Sequence, residues 1–532
     1  MFCENFWKAI FGNQNPMSRI MKVLNQRGVA IISLMAVCFV FCSECDARQG
    51  SENRPHIVLV MADDQGWGQT GYYGHPFLKT PHLDDMAAHG LRLDRFYAGG
   101  PVCSPTRATV LTGRTHERTG VMSHGYPLRL QEKTVAQALA EVGYVTSHFG
   151  KWHLNGIRGA GIPILPSDER RPDAFGFGHW LSVTNFFDMH PLMGRRGKPA
   201  GEFEKKRGDS SEVVVKEALH FLKAQINKSS DVLTFTVIWF GTPHSPWASL
   251  EADSQQFPQL SFQAQRHYGE LVAMDRSIGA LRSGLQELGI ADNTLLWFSS
   301  DNGGLPNKDF QPTVGQLNES IDGMVPLRGS KGTLYEGGLR VPSIVEWPSR
   351  IEPKVSQFQA GAVDIFPTIL DVVGLPEETM LPVHDGISLC QLFNGGPKNR
   401  NKPMGFRWNG GGAWINGRYK LVVLNNSKNK KKGKQAKESQ ELFDLVADPT
   451  ESKSIAQEKP AIFQKLMREY SQFSQSIDES IRGRDYPSGK LEKPDPEPKR
   501  WSADETIYTP FLKVFEEEQK LLDKLTKPNK AD

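Results

Sequence analysis

The chain has 532 residues, 39% hydrophobic and 23% charged, which is enough apolar material for a large core and too much for a disordered protein. Its 63 Lys and Arg stand against 60 Asp and Glu, a formal net charge of +3 without the basic excess of a dedicated nucleic-acid binder. With 50 Gly and 34 Pro it is rich in turns but has no collagen-like period.

From Gly28 to Ser43 the chain carries no charge, behind Arg19, Lys22 and Arg27. The run is shorter than the roughly 20 residues that span a bilayer. A basic flank, a short apolar stretch and small residues after it predict a secretory signal cleaved after Ala47, with a retained anchor as the alternative. Cys3, Cys38, Cys42 and Cys45 would leave with it, so the mature chain keeps Cys103 and Cys390 and is held by its core rather than by bridges. Cys390 reads as a buried apolar side chain.

Four apolar, β-rich runs then end abruptly in polar residues. His56–Met61 runs into Asp63-Asp64, Tyr144–Phe149 into Lys151-Trp152-His153, Val232–Phe240 into Thr242-Pro243-His244, and Thr294–Ser299 into Asp301-Asn302. Continuous apolar strands imply burial on both faces, as in a mainly parallel sheet. Helices are predicted between them, over Thr134–Val142 and Gln263–Leu288, the second with Leu271, Met274, Ile278, Leu281, Leu285 and Leu288 at helical spacing. The pattern predicts an α/β sandwich, a large mixed, mainly parallel sheet between helices. Ligands of such folds sit beyond the carboxyl ends of the strands, where the polar clusters fall.

After about residue 400, Trp414–Leu424 and Glu441–Leu445 read as antiparallel strands of a smaller sheet, covered by a helix over Ala461–Phe473. The lysine-rich insert Ser427–Lys437 lies between them and reads as a solvated hairpin tip, or else as a polyanion contact. Tyr486–Arg500 has the composition of a linker, and Phe511–Leu525 that of a terminal amphipathic helix. The organisation expected is thus 1–47 signal and upstream residues, 54–400 main domain, 401–480 small α+β subdomain, and 481–532 charged linker with terminal helix.

Cys103-Ser104-Pro105-Thr106-Arg107 precedes a helical turn stopped by Gly113, which places Cys103 at a helix N-terminus with Arg107 on the same face. A reactive thiol beside a guanidinium and a structural cysteine are both open readings. Asp63, Asp64, Asp301 and Asn302 offer only oxygen donors at two strand ends. Three carboxylates together call for a hard divalent ion, Ca²⁺ or Mg²⁺; zinc is disfavoured because no histidine is interleaved with them. Lys151, His153, His244 and Lys331, with Arg107, add a cationic pocket suited to a tetrahedral oxyanion ester.

Cys103-Ser104-Pro105-Thr106-Arg107, followed by Leu111-Thr112-Gly113-Arg114, resembles the Cys-x-Pro-x-Arg signature of type I sulfatases, in the alkaline phosphatase-like superfamily. The likeness continues in order through NRPHIVLVMADDQGWGQTGYYG, GYVTSHFGKWHL, FGTPHSPW, SSDNGG, LRGSKGTLYEGGLRVPSIVEWP and ELFDLVADPTE, covering about Arg54 to Phe473. The resemblance implies that a maturation enzyme converts Cys103 to formylglycine, whose hydrate attacks sulfur. It implies that Asp63, Asp64, Asp301 and Asn302 hold Ca²⁺ or Mg²⁺, which also contacts the modified Cys103. Arg107 would support the hydrate, Lys151 and Lys331 would bind sulfate oxygens, His153 would act in the elimination and His244 would protonate the leaving alcohol. Asn155 departs from the glycine common in the family after Lys-Trp-His-Leu. Ser182 or Thr184 are candidates for a further polar group that no motif fixes.

The expectation is an exported sulfatase, periplasmic or extracellular, acting on a sulfated small molecule or saccharide, with no nucleic acid and no stable membrane partner. The alternatives are a phosphate or phosphonate monoester hydrolase of the same superfamily and a non-catalytic polyanion-binding protein. Loops 155–205 and 305–328 are where specificity is expected.

Overall fold

All seven side chains of the strand His56–Ala62 are buried, and their alternation divides them between two cores. Ile57, Leu59 and Met61 pack with Ala108, Leu111, Trp239, Trp297 and Phe366. Val58, Val60 and Ala62 pack with Met86, Val214, Leu271, Met274 and Phe298. At about 1.5–3 kcal/mol for each large apolar side chain taken out of water, this two-sided burial outweighs any local propensity in fixing the strand. The structure is a computed structural model describing residues 54–199, 202–305, 327–425 and 439–503, with 514 and 517 beyond them.

The strand is near the middle of a ten-stranded sheet. Its order is Lys354–Ser356, Leu91–Leu93, Ser343–Glu346, Thr294–Ser300, His56–Ala62, Thr234–Trp239, Val145–Lys151, His179–Val183, Leu192–Arg195 and Glu204–Lys205. From Thr294–Ser300 through His179–Val183 every pairing is parallel. Antiparallel pairs flank that block on both sides. Helices Cys103–Thr112, Val135–Glu141 and Ile365–Val373 cover one face, and Pro81–His89, Ser210–Ile226 and Phe262–Glu287 the other. The sandwich expected from the sequence is the fold observed.

Local signals act as expected. Thr134 and Gln137 form a capping box at the start of Val135–Glu141. Gly113, at φ +67°, ends the helix that begins at Cys103, where a side chain would be strained. The six apolar residues read on the long helix all face the second core.

The second sheet, Met404–Trp408, Gly411–Asn416, Tyr419–Leu424 and Ser439–Asp444, is antiparallel throughout. Trp414–Leu424 is therefore two strands rather than one: a tight turn at Gly417 and Arg418 pairs Asn416 with Tyr419, and glycine at the first loop position, here at φ +59°, suits a two-residue hairpin. The covering helix is longer than expected, Pro460–Ile481, with Leu466 packed on Trp414, Leu421 and Leu442. Residues 486–501, linker-like in composition, are tied down. Tyr486 donates to Glu132 at 2.5 Å, Asp495 pairs with Arg129 at 2.6 Å, and Lys499–Arg500 pairs in parallel with Ile157–Arg158. The signal segment, the lysine-rich insert and most of loop 305–328 lie outside the described residues. So does the expected terminal helix, apart from 514 and 517, both helical. Among the described residues no helix is long and apolar enough to cross a membrane.

Candidate active site

Parallel register levels four strand ends. Ala62 is partnered by Ser300, and Trp239 by both Met61 and Gly150, so the chain leaves all four strands on one edge of the sheet. Asp63 and Asp64 leave the first, Asp301 and Asn302 the second, Thr242 to His244 the third, and Lys151 to His153 the fourth. The Asp63 N–H donates to the Thr242 carbonyl at 2.9 Å and the Asp64 N–H to Asp301 Oδ1 at 3.0 Å, which ties three of the loops. Asp64 and His153 are held at φ +72° and +55°, conformations costing roughly 1–3 kcal/mol each in a non-glycine residue.

Cys103 is the buried first residue of its helix, at the positive end of the dipole. Arg107, one turn on, reaches the same edge. It donates to Asp301 Oδ2 at 2.7 Å and to the Lys151 carbonyl at 3.0 Å, and its guanidinium lies 5.1 Å from the Trp239 ring centre. Trp152 stacks on Trp239 in turn. Lys151 Nζ donates to Asp63 Oδ2 at 2.5 Å and Lys331 Nζ to Asp64 Oδ2 at 2.7 Å. Asn302 donates to Asp64 Oδ1 at 2.8 Å.

One ligand atom each from Asp63, Asp64, Cys103 and His244 lies within 4.8 Å of the others. His244 Nε2 is 3.6 Å from Asp64 Oδ2, so a histidine is interleaved with the acids after all. Its ring stacks on Phe186 at 4.7 Å and its Nδ1 faces the Ser245 carbonyl at 2.6 Å. Three crowded carboxylates do not by themselves call for an ion here. Arg107, Lys151 and Lys331 neutralise Asp63, Asp64 and Asp301 one for one. The case for a cation rests instead on Asp63 Oδ1 and Asn302 Oδ1, buried acceptors without a hydrogen-bond donor. Hard oxygen donors of this kind fit Ca²⁺ or Mg²⁺.

Burial pushes the Cys103 thiol up to about 12, and the pull of Lys151 and Lys331 does not offset it. The open reading of a thiolate activated by Arg107 is therefore not supported: the unmodified thiol stays protonated and poorly nucleophilic. Burial first, then Lys151 and Arg107, hold His153 well below the ordinary histidine value, and both its ring nitrogens lack partners. Burial takes His244 down to about 3, partly offset by Asp64. Burial raises Asp64, yet Lys331 and His244 win and hold its carboxyl below the usual range. Asp301 is raised by burial and by Asp63, against Arg107.

All ten residues read from the sequence thus fall on this edge. Ser182 and Thr184 are taken structurally: Ser182 Oγ meets His148 Nδ1 at 2.7 Å and Thr184 Oγ1 accepts from Ile162 N at 3.2 Å. Asn155 needs no glycine, because the positive φ falls at Gly156. Cys390 is half-buried and donates to the Thr368 carbonyl. Sequence reasoning missed Phe186, Trp239 and Trp152, whose aromatic character alone does not separate a platform from core.

A family model described as Sulfatase matches residues 55–375. N-acetylgalactosamine-6-sulfatase of Canis lupus familiaris is 32% identical over 382 residues, 65% of this chain and 67% of that one. Arylsulfatase A of Homo sapiens is 32% identical over 381 residues, 66% of this chain and 70% of that one. The structure of Ps i-CgsB in complex with k-i-k-neocarrahexaose shares the fold, with a TM-score of 0.67 at 21% identity, over 87% of this chain and 99% of that one. The chain belongs to the sulfatase family, with the alkaline phosphatase-like sandwich of its relatives, and is a sulfuric ester hydrolase.

Proposed function

We propose that the chain hydrolyses a sulfate monoester carried by a saccharide, using Cys103 converted to formylglycine beside a bound Ca²⁺ or Mg²⁺. The observation that carries this reading is the meeting of Asp63, Asp64, Cys103 and His244 within 4.8 Å, with Lys151 and Lys331 on the two aspartates. The formylglycine hydrate supplies a hydroxyl nucleophile and an exit by collapse to the aldehyde, and the cation supplies Lewis-acid stabilisation of a sulfate oxygen. Asp63, Asp64, Asp301 and Asn302 would hold the cation.

The charge balance explains why the ion matters. Three acids and three bases cancel, so with a divalent cation held there the cluster would attract a sulfate ester anion. With Asp63 and Asp64 turned to the cation, Lys151 and Lys331 would be free to donate to that anion. Arg107, fixed by Asp301 and Trp239, holds the helix that carries residue 103 against the strand ends. His153, neutral and unpartnered, is placed to take a proton, and His244, fixed by Phe186 and with Nδ1 on the Ser245 carbonyl, would first have to gain a proton at Nε2 before handing it to the departing alcohol oxygen. Such proton transfers contribute roughly 10²–10⁴ in rate.

The named relatives include an enzyme of a sulfated amino sugar, and Ps i-CgsB was solved with an oligosaccharide, which favours a saccharide leaving group over a simple aryl one. Export to a periplasm or the extracellular space, with residues 1–47 removed, belongs to the same proposal and rests on the N-terminal pattern. Mass analysis of the tryptic peptide Phe96–Arg107, after co-expression with a maturation enzyme, should show cysteine replaced by the lighter aldehyde. Paired aryl sulfate and aryl phosphate substrates should show faster sulfate turnover. An intact cysteine in a fully active protein would refute the first part, and faster phosphate turnover the second.

A further inference from the structure

The two-stranded ladder of Ile157–Arg158 with Lys499–Arg500 sets two arginines side by side, because Arg158 and Arg500 are register partners in a parallel pair. Like charges on adjacent strands repel. Neither guanidinium makes an ion pair with any carboxylate among the described residues. Arg158 spends one N–H on the His124 carbonyl at 3.1 Å and rests 5.3 Å from the Tyr126 ring centre, while Arg500 is exposed. The carboxylate of Glu497, beside Tyr126, accepts the tyrosine hydroxyl at 3.3 Å.

The arginine pair is fastened to the catalytic edge from two sides. Gly125, one residue after His124, donates to Ser104 Oγ at 2.7 Å, and that hydroxyl donates to the His153 carbonyl at 2.8 Å. Arg158 packs so closely on Gly125 that a Cβ there would come within 2.5 Å of its Cγ. On the other side Gly159 O accepts from Asn185 Nδ2 at 2.6 Å, and the Gly161 N–H donates to the carbonyl of Phe186, the ring stacked on His244. The ladder is therefore one layer out from Ser104 and His244. Consistent with this, burial first and then Arg158, Lys331, Lys151 and Arg500 push the His124 imidazole below its ordinary value. Trp501 donates from Nε1 to the Ala160 carbonyl at 3.1 Å and anchors the strap that delivers Arg500.

We propose that Arg158 and Arg500 form a second anion-binding subsite at the rim of the catalytic edge, which takes an oxyanion, carboxylate or sulfate, on the sugar next to the one being desulfated. Two guanidiniums without carboxylate partners, Arg158 held by the His124 carbonyl and Arg500 exposed, offer several donors to such a group, and the anion relieves their mutual repulsion. The inference rests on the saccharide sulfatase reading and makes the C-terminal strap part of the specificity apparatus.

The test uses competitive inhibition of 4-nitrophenyl sulfate hydrolysis by three forms of one chondroitin 6-sulfate disaccharide: the free uronate, its methyl ester, and the methyl ester carrying a uronate 2-O-sulfate. The wild-type chain should bind at least one of the charged forms about tenfold more tightly than the plain ester, and the form preferred tells carboxylate from sulfate. In Arg500→Gln that preference should fall to about twofold or less, with kcat on 4-nitrophenyl sulfate within about twofold of wild type; Arg158→Gln should repeat it. Equal binding of all three forms by wild type, or a preference that survives both substitutions, overturns the proposal. If the mature chain hydrolyses neither 4-nitrophenyl sulfate nor the 6-sulfate of any of the disaccharides, the parent reading fails instead, and calorimetric titration with the same three disaccharides decides the subsite independently.

Discussion

Among the described residues, two buried lysine–carboxylate centres are built to different ends. At the strand ends, Lys151 and Lys331 sit on Asp63 and Asp64, while Asp63 Oδ1, Asn302 Oδ1 and both nitrogens of His153 have no partner. Between the two sheets, Lys420 Nζ lies 2.9 Å from Glu336 Oε1 and 2.9 Å from Glu451 Oε1. There Tyr97 donates to Glu336 Oε2 at 3.0 Å and the Glu336 N–H to Glu451 Oε2 at 2.6 Å, which leaves Glu451 Oε1, beside the Lys420 ammonium, as the one carboxylate oxygen without a hydrogen-bond donor. Both centres are charged and buried, so burial of charge does not by itself mark a catalytic site. What differs is the amount of unspent hydrogen-bonding capacity, four such atoms at the strand ends against Glu451 Oε1 alone, which costs stability unless a ligand uses it.

Substitutions should separate the two centres cleanly. Cys103→Ala should lower sulfate ester turnover by at least about 10⁴-fold, on the scale seen when a nucleophile is removed, and leave the melting temperature nearly unchanged. A residual rate near wild type would remove Cys103 from the chemistry. Lys420→Met leaves the Glu336 carboxylate and the Glu451 carboxyl buried around an apolar side chain and should destabilise by about 3–5 kcal/mol in urea unfolding, with kcat unaltered in the molecules that remain folded. A stable Lys420→Met protein would show that the second centre is not structural. Lys331→Met should cost about 2.7–4 kcal/mol in transition-state stabilisation, read as kcat/KM, the range of one oxyanion donor. Its stability should be lower in chelator than in Ca²⁺, because only a cation can then balance Asp64. Equal stability in both media would argue against an ion at that carboxylate.

The sequence made the catalytic centre more legible than the structural one for a physical reason. Four abrupt transitions from apolar strand to acid, amide, lysine or histidine mark strand ends, and parallel pairing does the rest by levelling them. Lys420 and Glu336 carry no such signal, since one lies within a strand and the other in a short helix after a glycine-flanked loop. Their pairing depends on how the small sheet seats against Tyr97, Leu334 and Leu339, a tertiary fact. The hairpin at Gly417 is legible in the sequence, since Asn416-Gly417-Arg418 breaks the apolar run between Ile415 and Leu421. The role of residues 486–501 was hidden for another reason: proline and charge suit a solvated linker and a surface strap equally, and only the partners Glu132, Arg129 and Ile157–Arg158 distinguish them.

The last contrast concerns protons. Burial and then Glu336 raise Glu451 to about 7, against the pull of Lys420, whereas Lys420 and Arg340 overcome burial and hold Glu336 below the usual range. Lys420 and Arg340 facing one carboxylate and one protonated carboxyl leave that centre with one more positive charge than negative. Between the ordinary value of 4.5 and about 7, the folded chain keeps a proton on Glu451 that the unfolded chain gives up. Unfolding then releases about one proton, so this contribution to stability is full below about 4.5, falls as pH rises and is gone above about 7. Asp64, held below 3.8, has the opposite sign: its contribution is present above that value and is lost as pH falls. Urea midpoints of wild type and Glu451→Gln, measured in chelator from pH 5 to pH 8, should therefore converge or cross as pH rises, with wild type losing stability faster up to about 7. Glutamine keeps the acceptor for the Glu336 N–H and removes the titration, so a pH-independent difference between the two proteins would show that Glu451 is ionised throughout. It would also return the second centre to the same charge logic as the first.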